Sequence, residues 1–114
     1  HFEKKAQPDF KGTLRGGRSI VFDAKATEKD RIERAAVTDE QKKDLDYHLA
    51  LGADCYVVVS FSLRAYYRIP WYTWNHMREI YGRCYITMDD ISEMRVTERN
   101  GIIYFLERQV GWKN

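Results

Sequence analysis

A continuous apolar run, Cys55-Tyr56-Val57-Val58-Val59-Ser60-Phe61, stands near the middle of the chain and reads as a strand buried on both faces. Around it the pattern alternates between strand-like and helix-like periods. Residues 10 to 14 and 19 to 26 form a predicted hairpin, turned by Leu14-Arg15-Gly16-Gly17-Arg18-Ser19. Residues 27 to 37 are mixed in charge and read as a loop. Thr38-Asp39-Glu40-Gln41 carries the Thr-x-x-Gln capping pattern and starts a helix with Leu45, His48 and Leu49 as its inward stripe and Gly52 as its stop. Arg64 to Ile69 alternates as a strand beside the buried run, with Arg64, Tyr66 and Arg68 on one face, and Pro70 ends it. Trp71, Trp74, Met77 and Tyr81 fall on one helical face before Gly82. A short strand is expected at Cys84 to Ile86, with Thr87 capping a helical turn. Asn100-Gly101 then sits between Met94 to Glu98 and Ile102 to Leu106 as a hairpin turn. The order is α/β, a mixed central sheet flanked by helices, without repeat or linker, and residues 1–114 read as a single domain.

Composition supports a folded core and excludes several classes. With 44% apolar residues over 114 positions, one domain with one core is expected. No stretch approaches the roughly 18 apolar residues of a membrane span, and His-Phe-Glu-Lys-Lys at the start has no apolar signal region, so a soluble cytoplasmic protein is expected. Cys55 and Cys84 lack zinc-site spacing and read as reduced core thiols. The overall charge is only +2, yet residues 1 to 34 hold nine Lys or Arg against six acids. Two of those acids, Asp9 and Asp23, would be neutralised by a bound metal, which makes that face more positive toward a polyanion.

The chemistry concentrates in the same segment. Val21, Asp23 and Lys25 share one side of an extended strand, with Ile20, Phe22 and Ala24 on the other. Folding back at Gly16-Gly17 brings Asp9, which follows Pro8, toward Asp23. Two carboxylates and a lysine on a rigid strand are the residue order of a metal-dependent nuclease site. Asp9, Asp23 and the Ala24 carbonyl offer three hard oxygen ligands for Mg²⁺, with Mn²⁺ as a substitute. Lys25 would orient water or stabilise charge on the phosphorus centre. Gln41 would reach water or phosphate from the helix start, or serve only as the capping glutamine. Arg15 and Arg18, flanking the turn at a hairpin tip expected beside the proposed metal site, and Lys11 and Lys29 are the candidate DNA contacts. Trp71, Tyr72 and Trp74 could stack on unpaired bases but read as core, and His48 and His76 as structural or exposed.

From about Gln7 to Glu107 the chain resembles the RecU family of Holliday junction resolvases, also described as penicillin-binding-protein-related factor A. The matching stretches are Asp9-Phe10-Lys11-Gly12, Phe22-Asp23-Ala24-Lys25-Ala26-Thr27, Gln41, Gly52 with Val57-Val58-Val59-Ser60-Phe61, and Ile69-Pro70-Trp71. The resemblance implies a restriction-endonuclease-like PD-(D/E)xK nuclease core and Mg²⁺-dependent nicking of four-way DNA junctions by a cytoplasmic homodimer. It maps the catalytic acids onto Asp9 and Asp23, the lysine onto Lys25 and the helix glutamine onto Gln41. Asp23 stands where the family pattern normally has Glu. Only eight residues precede Asp9, so a domain trimmed at its N-terminus is expected, and no segment corresponds to the family's long projecting stalk. A recombinase is a further candidate partner. The alternatives are a junction-binding or recombinase-modulating module with weak or lost catalysis, and a related nuclease with another DNA substrate. The richness in aromatics from Tyr56 to Tyr85 also reads as surface for a twofold partner.

Overall fold

The computed structural model describes residues 10–13, 16–99 and 102–104, the last three and residues 97–99 by their backbone only. The predicted hairpin is strands β1 (Phe10–Thr13) and β2 (Ser19–Thr27), antiparallel with Phe10 opposite Phe22 and Thr13 opposite Ser19. The rings of Phe10 and Phe22 stack at 4.9 Å. Gly12 makes room for this: a Cβ there would lie 2.9 Å from the Phe10 ring.

Residues 27 to 37 are not simply a loop. They contain β3 (Arg31–Glu33) and a 3-10 turn, Arg34–Ala36. The strand exists because Ile32, alone among charged neighbours, is buried against the core opposite Ile86 of β6 (Tyr85–Thr87), in a separate two-stranded sheet. One apolar residue in three gives no readable period, which hides such a strand in the sequence.

Helix α1 (Asp39–Ala50) begins and ends where its signals stand. Thr38 caps it, and Gly52 at φ 96° closes it while the N–H of Ala53 reaches the His48 carbonyl and that of Gly52 the Leu49 carbonyl, a Schellman ending. The inward stripe is narrower than expected. Leu45 is fully buried, whereas Leu49, in the last turn, is 47% exposed.

The buried run is β4 (Asp54–Phe61), which lies parallel to β2 and antiparallel to β5 (Ala65–Pro70). Helices α2 (Trp71–Asn75) and α3 (Met77–Tyr81) replace one continuous helix. The break falls at His76, where ψ is 29° and ring Nδ1 lies 2.9 Å from the Tyr72 carbonyl that its own N–H also reaches. A second 3-10 turn, Ser92–Met94, leads to β7 (Arg95–Arg99) and β8 (Ile102–Tyr104), antiparallel with Arg99 opposite Ile102, as the hairpin signal predicts. Among the described residues the main sheet runs β1-β2-β4-β5-β7-β8, and β2 with β4 is its parallel pair.

One face of this sheet and the three helices enclose the core: Val21, Val57, Val59, Tyr67 and Ile69 meet Leu45, Trp71, Trp74 and Met77. The Trp71 indole N–H donates to Asp46 of α1 at 2.8 Å, and that of Trp74 to the Arg34 carbonyl at 3.3 Å. Tyr56, Phe61, Tyr67, Trp71 and Trp74 of the aromatic stretch are buried within one chain, Tyr66, Tyr81 and Tyr85 are half-buried, and Tyr72 is 65% exposed. Two further expectations change. Cys84 is exposed, while Cys55 is buried and its thiol pushed up to about 11, chiefly by burial. Arg68 is buried, with its guanidinium over the Tyr56 ring at 5.4 Å, whereas Arg64 belongs to the exposed turn before β5. Among the described residues no helix is long and apolar enough to cross a membrane.

Candidate active site

The alternation of β2 puts Val21, Asp23 and Lys25 on the side that faces α1, because their partners Cys55, Val57 and Val59 all belong to the core. Asp23 is therefore a carboxylate at a core position, with 0% exposure. An ionised carboxylate there costs several kcal/mol of lost hydration unless charge or hydrogen bonds compensate it. Lys25 supplies charge from two residues along the same face: its Nζ lies 3.2 Å from Asp23 Oδ2. The Lys25 side chain is 19% exposed, so the ammonium sits between the buried acid and the protein surface.

Gln41 completes the cluster. The chain returns from β2 to its parallel neighbour β4 through α1, so the helix runs back along the sheet with its first turn over the C-terminal end of β2. There Gln41 Oε1 accepts from Lys25 Nζ at 2.9 Å. The same oxygen accepts from the Thr38 backbone N–H at 3.0 Å, while the Gln41 N–H donates to Thr38 Oγ1 at 3.2 Å. The two readings of Gln41 are thus joined in one side chain. It closes the capping box, and it holds the site lysine.

The remaining candidates divide. Asp9 and Arg15 lie outside the described residues. Ala24 points to the opposite side of β2 from Asp23, its side chain exposed. Lys11 is exposed on β1 opposite Val21, and Lys29 is exposed just past the end of β2, its N–H on Thr27 Oγ1. Arg18 is exposed but engaged with Asp54 at 2.8 Å, at the start of β4. It also lies at the other end of β2 from Lys25, with about 23 Å of extended chain between them at roughly 3.3 Å per residue. Arg18, expected beside the metal site, therefore stands away from Asp23, since the turn tip and the Asp23–Lys25 cluster occupy opposite ends of the strand. Thr38 and Asp54 were not singled out from the sequence as site or site-limiting residues. Asp54 acts through a contact with Arg18 thirty-six residues away, which no local pattern reports, whereas Thr38 contacts Gln41 three residues on and bears on the site only because Gln41 meets Lys25 from a distant segment.

For a metal, the described residues contribute one carboxylate, Asp23, and the peptide oxygen of Ala24. No group of three His, Cys, Asp or Glu side chains converges among the described residues. Oxygen donors without nitrogen or sulfur suit a hard cation of the Mg²⁺ kind rather than zinc.

A mixed sheet whose parallel pair is bridged by a helix, with an acid and a lysine on the strand side that this helix covers, is the architecture of a nuclease core of the PD-(D/E)xK type. A comparison with protein families agrees with this: the model of RecU, recombination protein U, matches residues 1–108. The chain belongs to the RecU family, a family of Holliday junction resolvases. No curated protein matches it.

Proposed function

We propose that the chain is a metal-dependent endodeoxyribonuclease that nicks Holliday junctions in DNA recombination and repair. The observation that carries this reading is the fully buried Asp23 bridged to Lys25, with Lys25 held in turn by Gln41. A merely structural ion pair gains little at such a position, because an apolar pair of similar volume would be at least as stable. Family membership supplies the DNA substrate class.

In this reading Asp23, the Ala24 carbonyl and Asp9 hold Mg²⁺ or Mn²⁺. Asp9 is assigned on sequence alone, as the residue before Phe10, whose partner Phe22 adjoins Asp23. The bound ion would polarise the scissile phosphate and acidify a water. Lys25 presents a fixed ammonium to the charge that grows on the phosphoryl oxygens, and Gln41 keeps that ammonium from swinging into solvent. Lys29 and Lys11 contact flanking phosphates. Two symmetric nicks require two sites, so the working unit is a cytoplasmic homodimer, with a recombinase as a further partner. The reading is tested by soaking crystals in Mn²⁺. Anomalous density beside Asp23 is expected; density elsewhere with none at Asp23 would refute the metal assignment.

A further inference from the structure

We propose that Arg31 binds a DNA backbone phosphate flanking the scissile one, and that Tyr85 holds its guanidinium ready for it. The inference rests on the nuclease reading above. Ile32 and Ile86 point into the core, so the alternation of β3 and β6 turns Arg31, Glu33, Tyr85 and Thr87 to the outer face of their two-stranded sheet. Arg31 pairs with Thr87, two residues after Tyr85, and its guanidinium lies over the Tyr85 ring at 4.4 Å. Arg83, two residues before Tyr85, lies over the same ring at 4.7 Å. Two guanidiniums thus come to one ring from opposite directions along β6, and only one of them is engaged elsewhere. Arg83 donates to Asp90 at 2.6 Å and to the Tyr81 carbonyl at 2.9 Å. Among the described residues no carboxylate oxygen lies within 4.0 Å of the Arg31 guanidinium, although Asp30 precedes it and Glu33 shares its face.

A guanidinium laid on a ring keeps its N–H donors in its own plane, directed away from the ring, where they fit two oxygens of one phosphate. The stack also limits the rotamers of an otherwise exposed side chain, so less freedom is lost when the anion arrives. The place of Arg31 makes that anion part of the bound strand. Its carbonyl accepts from the Thr27 hydroxyl at 3.5 Å, and Thr27 ends β2 about 7 Å of extended chain past Lys25. Arg31 therefore stands at the Lys25 end of β2, the opposite end from Arg18, with the exposed Lys29 in the turn between. Tyr85 acts as a positioning residue behind it, and Arg83, tied to Asp90, steadies the ring.

The test is fluorescence titration of a four-way junction in Ca²⁺ across a salt series, for wild type, Arg31→Ala, Arg31→Lys, Tyr85→Leu, Tyr85→Phe and the Arg31→Ala/Tyr85→Leu double variant, with light scattering on each. All titrations are taken well below each variant's melting temperature. Arg31→Ala is expected to weaken binding about tenfold at low salt and to reduce the salt dependence by about one ion. Arg31→Lys keeps the charge but loses the fork, so the salt dependence should stay while affinity falls about threefold. Tyr85→Leu should also weaken binding about threefold with the salt dependence kept, and Tyr85→Phe, which retains the ring, should bind within twofold of wild type. In the Arg31→Ala background Tyr85→Leu should cost less than twofold more. A wild type that binds junctions while Arg31→Ala binds equally well with the same salt dependence would overturn the phosphate assignment and leave the nuclease reading standing. The same loss from Tyr85→Leu with and without Arg31 would overturn the positioning role of the ring. Weaker binding by Arg31→Ala that comes with a change in mass would also overturn the assignment, because the ribbon would then serve assembly. A wild type that binds no junction would overturn the nuclease reading and the inference with it.

Discussion

Removing the ammonium from beside Asp23 should destabilise the fold far more than removing the acid's charge. In Lys25→Ala the carboxylate stays at 0% exposure and loses a positive charge 3.2 Å away. At that distance the pair's attraction is about 5 kcal/mol for an effective dielectric constant of about 20. Part is recovered, because Lys25 is itself only partly exposed and its own desolvation cost disappears with it. A net loss of about 2–4 kcal/mol remains. For a domain of this size that lowers the melting temperature by roughly 10–15 °C. Asp23→Asn instead leaves an ammonium that Gln41 Oε1 still accepts from at 2.9 Å and whose stem already reaches the surface, at a cost of about 1 kcal/mol or less. The double variant Asp23→Asn/Lys25→Ala should accordingly be more stable than Lys25→Ala alone. Urea unfolding followed by circular dichroism on the four proteins measures this cycle. A Lys25→Ala protein melting within 2 °C of wild type, or an Asp23→Asn protein destabilised as much as Lys25→Ala, would refute the reasoning.

Other expectations follow from the same geometry. Asp23→Asn and Lys25→Ala should each abolish cleavage while junction affinity stays within a few fold, because both groups act on the transition state; equal loss of binding and cleavage, measured by filter binding and gel assay, would indicate phosphate anchors instead. Lys29→Ala should weaken junction binding and reduce the salt dependence by about one ion, whereas Arg18→Ala, already paired with Asp54 and at the far end of β2, should change neither by more than about twofold; fluorescence titration across a salt series distinguishes them. Burial pushes the Asp46 carboxyl up, but hydrogen bonds from Lys42 and Trp71 outweigh it and hold its pKa below the ordinary 3.8. The stability it contributes is therefore present above about pH 4 and lost as the pH falls through the lowered folded value. Asp46→Asn should flatten that acid-side loss in urea melts between pH 6 and pH 3, and an unchanged pH dependence would contradict it.

How much of this was legible in the sequence depended on the range of the interaction. Capping of α1 by Thr38 and its stop at Gly52 rest on contacts within a few residues, and both stand where the pattern puts them. The apolar run became β4 because five hydrophobic residues in a row fit a strand covered on both faces. The alternation in β2 was enough to put Asp23 and Lys25 on one side. What it could not convey was depth: Asp23 is fully buried because Val57 lies beside it and α1 above it, and both come from distant segments. Arg18 illustrates the opposite failure. Its place beside the glycines of the turn suggested nearness to the metal site, but the extended length of β2 separates it from Asp23, and Asp54, thirty-six residues on, engages it. Ile32 was hidden for the same reason, since its strand exists only because Ile86 arrives from the other end of the chain to pair with it.

The most direct test compares four-way junction, flap and linear duplex DNA side by side, with wild type and Asp23→Asn, in Mg²⁺, in Mn²⁺ and with EDTA. Paired, symmetric nicks in the four-way junction are expected with either metal, with little cleavage of linear duplex and none with EDTA or Asp23→Asn. Cleavage that persists in EDTA or in Asp23→Asn, or an intact wild type that binds junctions without nicking them, would contradict it.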